Sequence, residues 1–178
     1  MEKKSRLDRA TRCYELVREL DANSLEAAEA LIPIYEERKD SANLVVVLSV
    51  RLAHLTDAND ARILQQRIAK IFEEELKDPS AAFRRYLEAF QSTPEDESVL
   101  HDLERAAGAA STWEEVVTAY RSKLDGAQGS FKIELTLRIA RVLHEELKQP
   151  EDALAYYDGI LQANPKEPRA LSAREKIY

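Results

Sequence analysis

The 178-residue sequence predicts an all-α fold, about ten helices stacked as a repeat array. Three observations carry this prediction. One stretch occurs twice: residues 67–79 read RIAKIFEEELKDP and residues 138–150 read RIARVLHEELKQP. At the same offset of 71, residues 67–104 and 138–175 share 14 identities in 38 positions, where average residue frequencies give about two or three. Self-similarity at a fixed offset marks stacked supersecondary units that bury their apolar faces on each other. Apolar residues also recur at helical steps along nearly the whole chain. Finally, 44% hydrophobic and 33% charged residues, with only four Gly and six Pro, describe a helix-rich folded chain rather than a disordered one.

Residues 5–20 place Leu7, Ala10, Tyr14, Val17 and Leu20 at three- and four-residue steps, an amphipathic helix whose packed face should hide Cys13 as an inert small hydrophobe. Asn23 or Ser24 caps the next helix, roughly 24–38, in which Pro33 predicts a bend or a short irregular turn. The run LVVVLSV at 44–50 has strand-like composition. Its residues Leu44, Val47, Leu48, Leu52 and Leu55 nevertheless share one helical face, with Asp40 and Ser41 as capping residues, so a helix is expected. Another helix covers about 60–77. Pro79 opens its successor, since a fixed φ suits a first turn, and Pro94 closes it. Helices at 96–110 and 112–125 follow, with Thr112 as the cap between them. The stretch DGAQGS at 125–130 reads as a loop, and helices at about 131–148, 150–163 and 167–178 complete the set.

The second helix of each long repeat has a recurring pattern. Ala82, Tyr86, Ala89 and Pro94 are matched by Ala153, Tyr157, Ile160 and Pro165, and Ala10, Tyr14 and Val17 form a third copy without the proline. Ile68, Ala69 and Phe72 in one first helix answer Ile139, Ala140 and Leu143 in the other. These residues resemble the tetratricopeptide repeat, a hairpin of two helices whose second helix ends in A-x3-F and then proline. The resemblance implies a right-handed α-solenoid of antiparallel helix hairpins spanning 1–178 as a single domain, strongest over 60–95 and 130–166. Two departures stand out. The long repeats carry one extra residue between their helices, and Glu104 occupies a position where the pattern wants a small residue. This alternation of long and short units resembles that of large deltaproteobacterial repeat proteins.

Composition narrows the function. The formal charge of −7 disfavours a nucleic-acid binder, which needs a basic footprint for phosphates. No apolar run of membrane-spanning length and no signal-peptide h-region is present, so a membrane partner is not expected. A single cysteine suits a reducing compartment, and the cytoplasm is the expected location. His54, His101 and His144 are isolated from one another, without Glu-x-x-His spacing, and read as surface histidines. No phosphate-binding glycine loop is present, and Cys13 has no nearby His to activate it, so neither catalysis nor a cofactor is expected.

The resemblance implies a concave surface lined by first helices. The positions flanking the large–small pair there are Arg67 and Lys70 in one unit, Arg138 and Arg141 in the other. Each pair is spaced by three and shares a helix face. Such residues can grip carboxylates of a protein or peptide partner of acidic character. The competing reading is that they neutralise Glu73–Glu75 and Glu145–Glu146 within the chain. Three functional readings follow: a protein–protein interaction scaffold, a purely structural or oligomerisation segment, and an RNA-processing helical repeat. By register the chain opens on a second helix and stops after a first helix. Leu171, Ile177 and Tyr178 at one end, and some of Leu7, Leu16 and Leu20 at the other, are then expected to lack neighbours. That predicts a fragment of a longer array, or self-association through uncapped ends.

Overall fold

Among residues 2–177, which the computed structural model describes (side chains from Asp8 onward), every element is an α-helix. The ten are α1 (Glu2–Leu20), α2 (Leu25–Arg38), α3 (Ser41–Ala53), α4 (Ala58–Glu74), α5 (Pro79–Ser92), α6 (Glu97–Ala110), α7 (Trp113–Leu124), α8 (Gly129–Glu145), α9 (Pro150–Ala163) and α10 (Pro168–Glu175). The chain divides into two compact units, Met1–Thr93 and Pro94–Tyr178.

In the first unit each helix packs on the next in sequence, α1 on α2 through to α4 on α5. Asp40 starts α3 by accepting from the Asn43 amide at 3.2 Å, and Leu44, Val47 and Leu48 bury the face that the spacing selects. A helical face thus wins over the local β-preference of three consecutive valines. Ser24 caps α2 by accepting from the Ala27 amide at 3.3 Å. Tyr86 and Ala89 are fully buried, Ala82 nearly so, and Ile68 and Ala69 in α4 are fully buried. This is the close helix–helix approach that a small residue permits.

In the second unit α6 packs on α7, α7 on α8 and α8 on α9, and α10 packs on both α8 and α9. Tyr157, Ala153 and Ala140 are buried as their counterparts are. The hairpin turns repeat as well. Lys39, Lys77, Ser111 and Lys148 each adopt left-handed φ, between 54° and 56°. In the short hairpins the next amide bonds a carbonyl five residues back, Asp40 to Tyr35 at 2.9 Å and Thr112 to Ala107 at 3.1 Å. In the long hairpins it reaches six residues back, Asp78 to Phe72 at 2.9 Å and Gln149 to Leu143 at 2.8 Å. The extra residue read from the sequence is therefore absorbed inside the terminal turn of the first helix, whose orphan carbonyls it helps to satisfy.

Four expectations need correction. α2 runs through Pro33 without an irregular turn. Pro33 is exposed, so the carbonyl it leaves without a donor can be met by water. Thr112 occupies the cap position of α7, but its side chain makes no cap bond and its hydroxyl is buried without a partner. On α1 only part of the predicted apolar face packs: Tyr14 is half-buried against the core, but Ala10, Val17 and Leu20 are exposed, and so is Cys13. α1 also meets α2 through buried Thr11, a bond from the Tyr35 hydroxyl to Glu15 at 3.3 Å, and an ion pair from Arg38 to Asp8 at 2.9 Å. The stripe that α5 buries against α4 has no described helix in front of it on α1. Leu16 and Leu171 are exposed as well, while the side chain of Leu7 and all of Tyr178 lie outside the described residues.

Candidate functional site, the polar cleft of the second unit

The four basic residues singled out by register have different surroundings. In the first unit, Arg67 is half-exposed and paired with Glu36, and Lys70 is exposed on the next turn of α4. In the second unit, Arg138 is the hub of an ion network. Its side chain is only 13% exposed, and it donates to Glu97 at 2.5 Å, Glu134 at 2.8 Å and Glu104 at 3.2 Å. Burial opposes its charge, but the facing carboxylates, Glu104 foremost, outweigh that and push its pKa up. Arg141 donates to the other oxygen of Glu104 at 2.6 Å and stands 3.8 Å from Glu145. The partners include Glu36, Glu97, Glu104 and Glu134, and of the acids named in the sequence Glu145 is near Arg141.

Glu104 is the residue the sequence flagged as out of pattern. Its carboxylate, 14% exposed, accepts from Arg138, Arg141 and the Tyr120 hydroxyl, the last at 3.0 Å. Burial and then Glu104 push the Tyr120 pKa up, so the phenol stays a donor. A bulky acid stands where a small residue was expected because three donors converge on it. Glu134, one turn before Arg138, also accepts from Arg169 of α10 at 2.6 Å. Against the upward push of burial, the Arg169 hydrogen bond and Arg138 hold its carboxyl below the usual range.

These side chains wall a cleft of about 420 Å³ between α6, α8 and α10. Leu137 and Tyr157 supply part of its lining, with Arg141, His144, Glu145, Arg169 and Lys176 at the wet side. The sequence reasoning found Arg138 and Arg141 but missed Glu134, Tyr120 and Arg169. The signal was present in Glu104, since an acid on a packed face demands buried cationic or hydroxyl partners. No group of three or more His, Cys, Asp or Glu among the described residues could hold a metal ion, and no described helix is long and apolar enough to cross a membrane.

No protein-family model and no curated protein matches the chain.

Proposed function

We propose that the chain is a protein–protein interaction scaffold without catalytic activity, acting in the cytoplasm. Its hairpins form a right-handed α-solenoid of tetratricopeptide-like units, and a segment of a partner lies along the first-helix face. The observation that carries this reading is the cleft between α6, α8 and α10, an open, half-polar recess walled by helices that start hairpins by register. Supporting it are the paired hairpin turns and the matched burial of Tyr86 and Tyr157. A groove of this kind takes an extended or helical segment by a few anchors and a polar rim.

Arg138 is a structural member of this surface rather than a ligand-binding one. Its guanidinium already meets three carboxylates, and removing it would take one partner each from the largely buried Glu104 and from Glu134. Arg141 and Arg169 are the arginines with surface to offer. The test is selection of displayed random dodecapeptides on the immobilised chain, repeated with Arg141→Glu plus Arg169→Glu after its helicity is checked. Enrichment that the double variant abolishes supports the reading. Absence of enrichment, or enrichment indifferent to the substitutions, contradicts it.

A further inference from the structure

Three of the buried tyrosines are engaged: Tyr35 donates to Glu15, Tyr120 donates to Glu104, and Tyr86 also has an interaction partner. Tyr157 differs. It is only 3% exposed, its hydroxyl makes no hydrogen bond to a described residue, and it lines the cleft. The ring is buried, but the hydroxyl oxygen is not among the buried polar atoms without a partner, so it meets the open space of the cleft. An unpartnered hydroxyl opening into a recess asks for a ligand atom or a water.

The neighbours decide the ligand's charge. The cleft lining holds four cationic side chains, Arg138, Arg141, Arg169 and Lys176, against the acids Glu104, Glu134 and Glu145. Glu104 and Glu134 are saturated by arginines. The second guanidinium edge of Arg141 stands 3.8 Å from Glu145, beyond hydrogen-bond reach, and Lys176 is exposed. Burial, and then Glu145, push the Tyr157 pKa up, with Arg141 opposing, so the hydroxyl keeps its proton to donate. Hydroxyl, guanidinium edge and ammonium are all donors, which is the chemistry of a carboxylate site. A cation would meet like charge, and an apolar group would leave the hydroxyl unpaired.

We propose that this cleft holds an acidic side chain of the bound segment, its carboxylate accepting from the Tyr157 hydroxyl and from Arg141, with Lys176 as a further counter-charge. The inference rests on the interaction reading and gives it a subsite. The probes are a capped pentapeptide with one glutamate among alanines, its glutamine counterpart, and an all-alanine pentapeptide with a free C-terminus. Binding is followed by heteronuclear NMR titration of the whole chain. The glutamate peptide should perturb α8–α10 and bind about tenfold more tightly than the glutamine peptide, the scale of one charge-assisted hydrogen bond. Tyr157→Phe should remove about that tenfold preference while leaving the thermal midpoint in place, since the hydroxyl has no internal bond to lose. Equal binding of the two capped peptides, absence of binding by the glutamate peptide, or a preference that survives Tyr157→Phe would overturn the subsite. Tighter binding of the free C-terminus would overturn the side-chain assignment. None of these results bears on peptide enrichment by the chain, whose absence, or indifference to Arg141→Glu plus Arg169→Glu, would sink the scaffold reading.

Discussion

The Tyr120 hydroxyl donates to Glu104 at 3.0 Å, and this bond joins the second helix of one hairpin to the acid that also anchors Arg138 and Arg141 of α8. Glu104→Ala therefore strips a buried hydroxyl and a buried guanidinium of a partner at once. It should destabilise by about 3 kcal/mol, the scale for breaking a buried pair. Glu36→Ala, which removes the half-exposed partner of Arg67, should cost less than about 1 kcal/mol. Urea unfolding of both variants checks the contrast, and equal losses would refute it.

Glu134 links α8 to α10 through Arg169 and has its carboxyl held below the usual range. A depressed folded pKa contributes stability above the unfolded value of about 4.3, which disappears as pH falls through the lower folded value. The thermal midpoint of the wild type should thus exceed that of Glu134→Gln by a constant margin near neutrality. The margin should shrink below about pH 4. Parallel melts across that range test the sign.

Lys77 sits at φ 55° and is exposed. A side chain in left-handed backbone costs about 1 kcal/mol, offset in part by the unfolded-state entropy that glycine adds. Lys77→Gly should raise stability by up to about 1 kcal/mol, whereas Lys77→Val should lower it. Thermal or urea unfolding decides, and the reverse order would contradict the turn geometry.

Ala140 is fully buried in α8, in the large–small pattern that lets α9 approach. Ala140→Leu inserts volume into a packed crossing and should destabilise by roughly 1–3 kcal/mol. A neutral outcome in urea unfolding would place the residue away from the crossing.

Much of this architecture was legible because it is local. Ser24, Asp40, Pro79 and Pro150 mark helix starts, and the offset of 71 aligns Tyr86 with Tyr157. The extra residue of the long hairpins was legible too, as one added step in the closing hydrogen bond. Which face of α1 packs was legible only in part. Periodicity names an apolar face, of which Tyr14 packs on the core, but the neighbour that α2 presents carries Tyr35 and Arg38, which turn Thr11, Glu15 and Asp8 inward as well. In the candidate site, register located Arg138 and Arg141 but could not tell a buried hub from a half-exposed one. That difference depends on Glu97, Glu104, Glu134 and Arg169, gathered from four stretches of sequence by packing.

The central claim is that a partner segment lies in the cleft of the second unit. Hydrogen–deuterium exchange of the whole chain, with and without a peptide enriched by selection, tests it most directly. Slowed exchange concentrated in α8, α9 and α10, around Arg141, Tyr157 and Arg169, is the predicted result. Protection confined to α7, or to helices of the first unit, would contradict it.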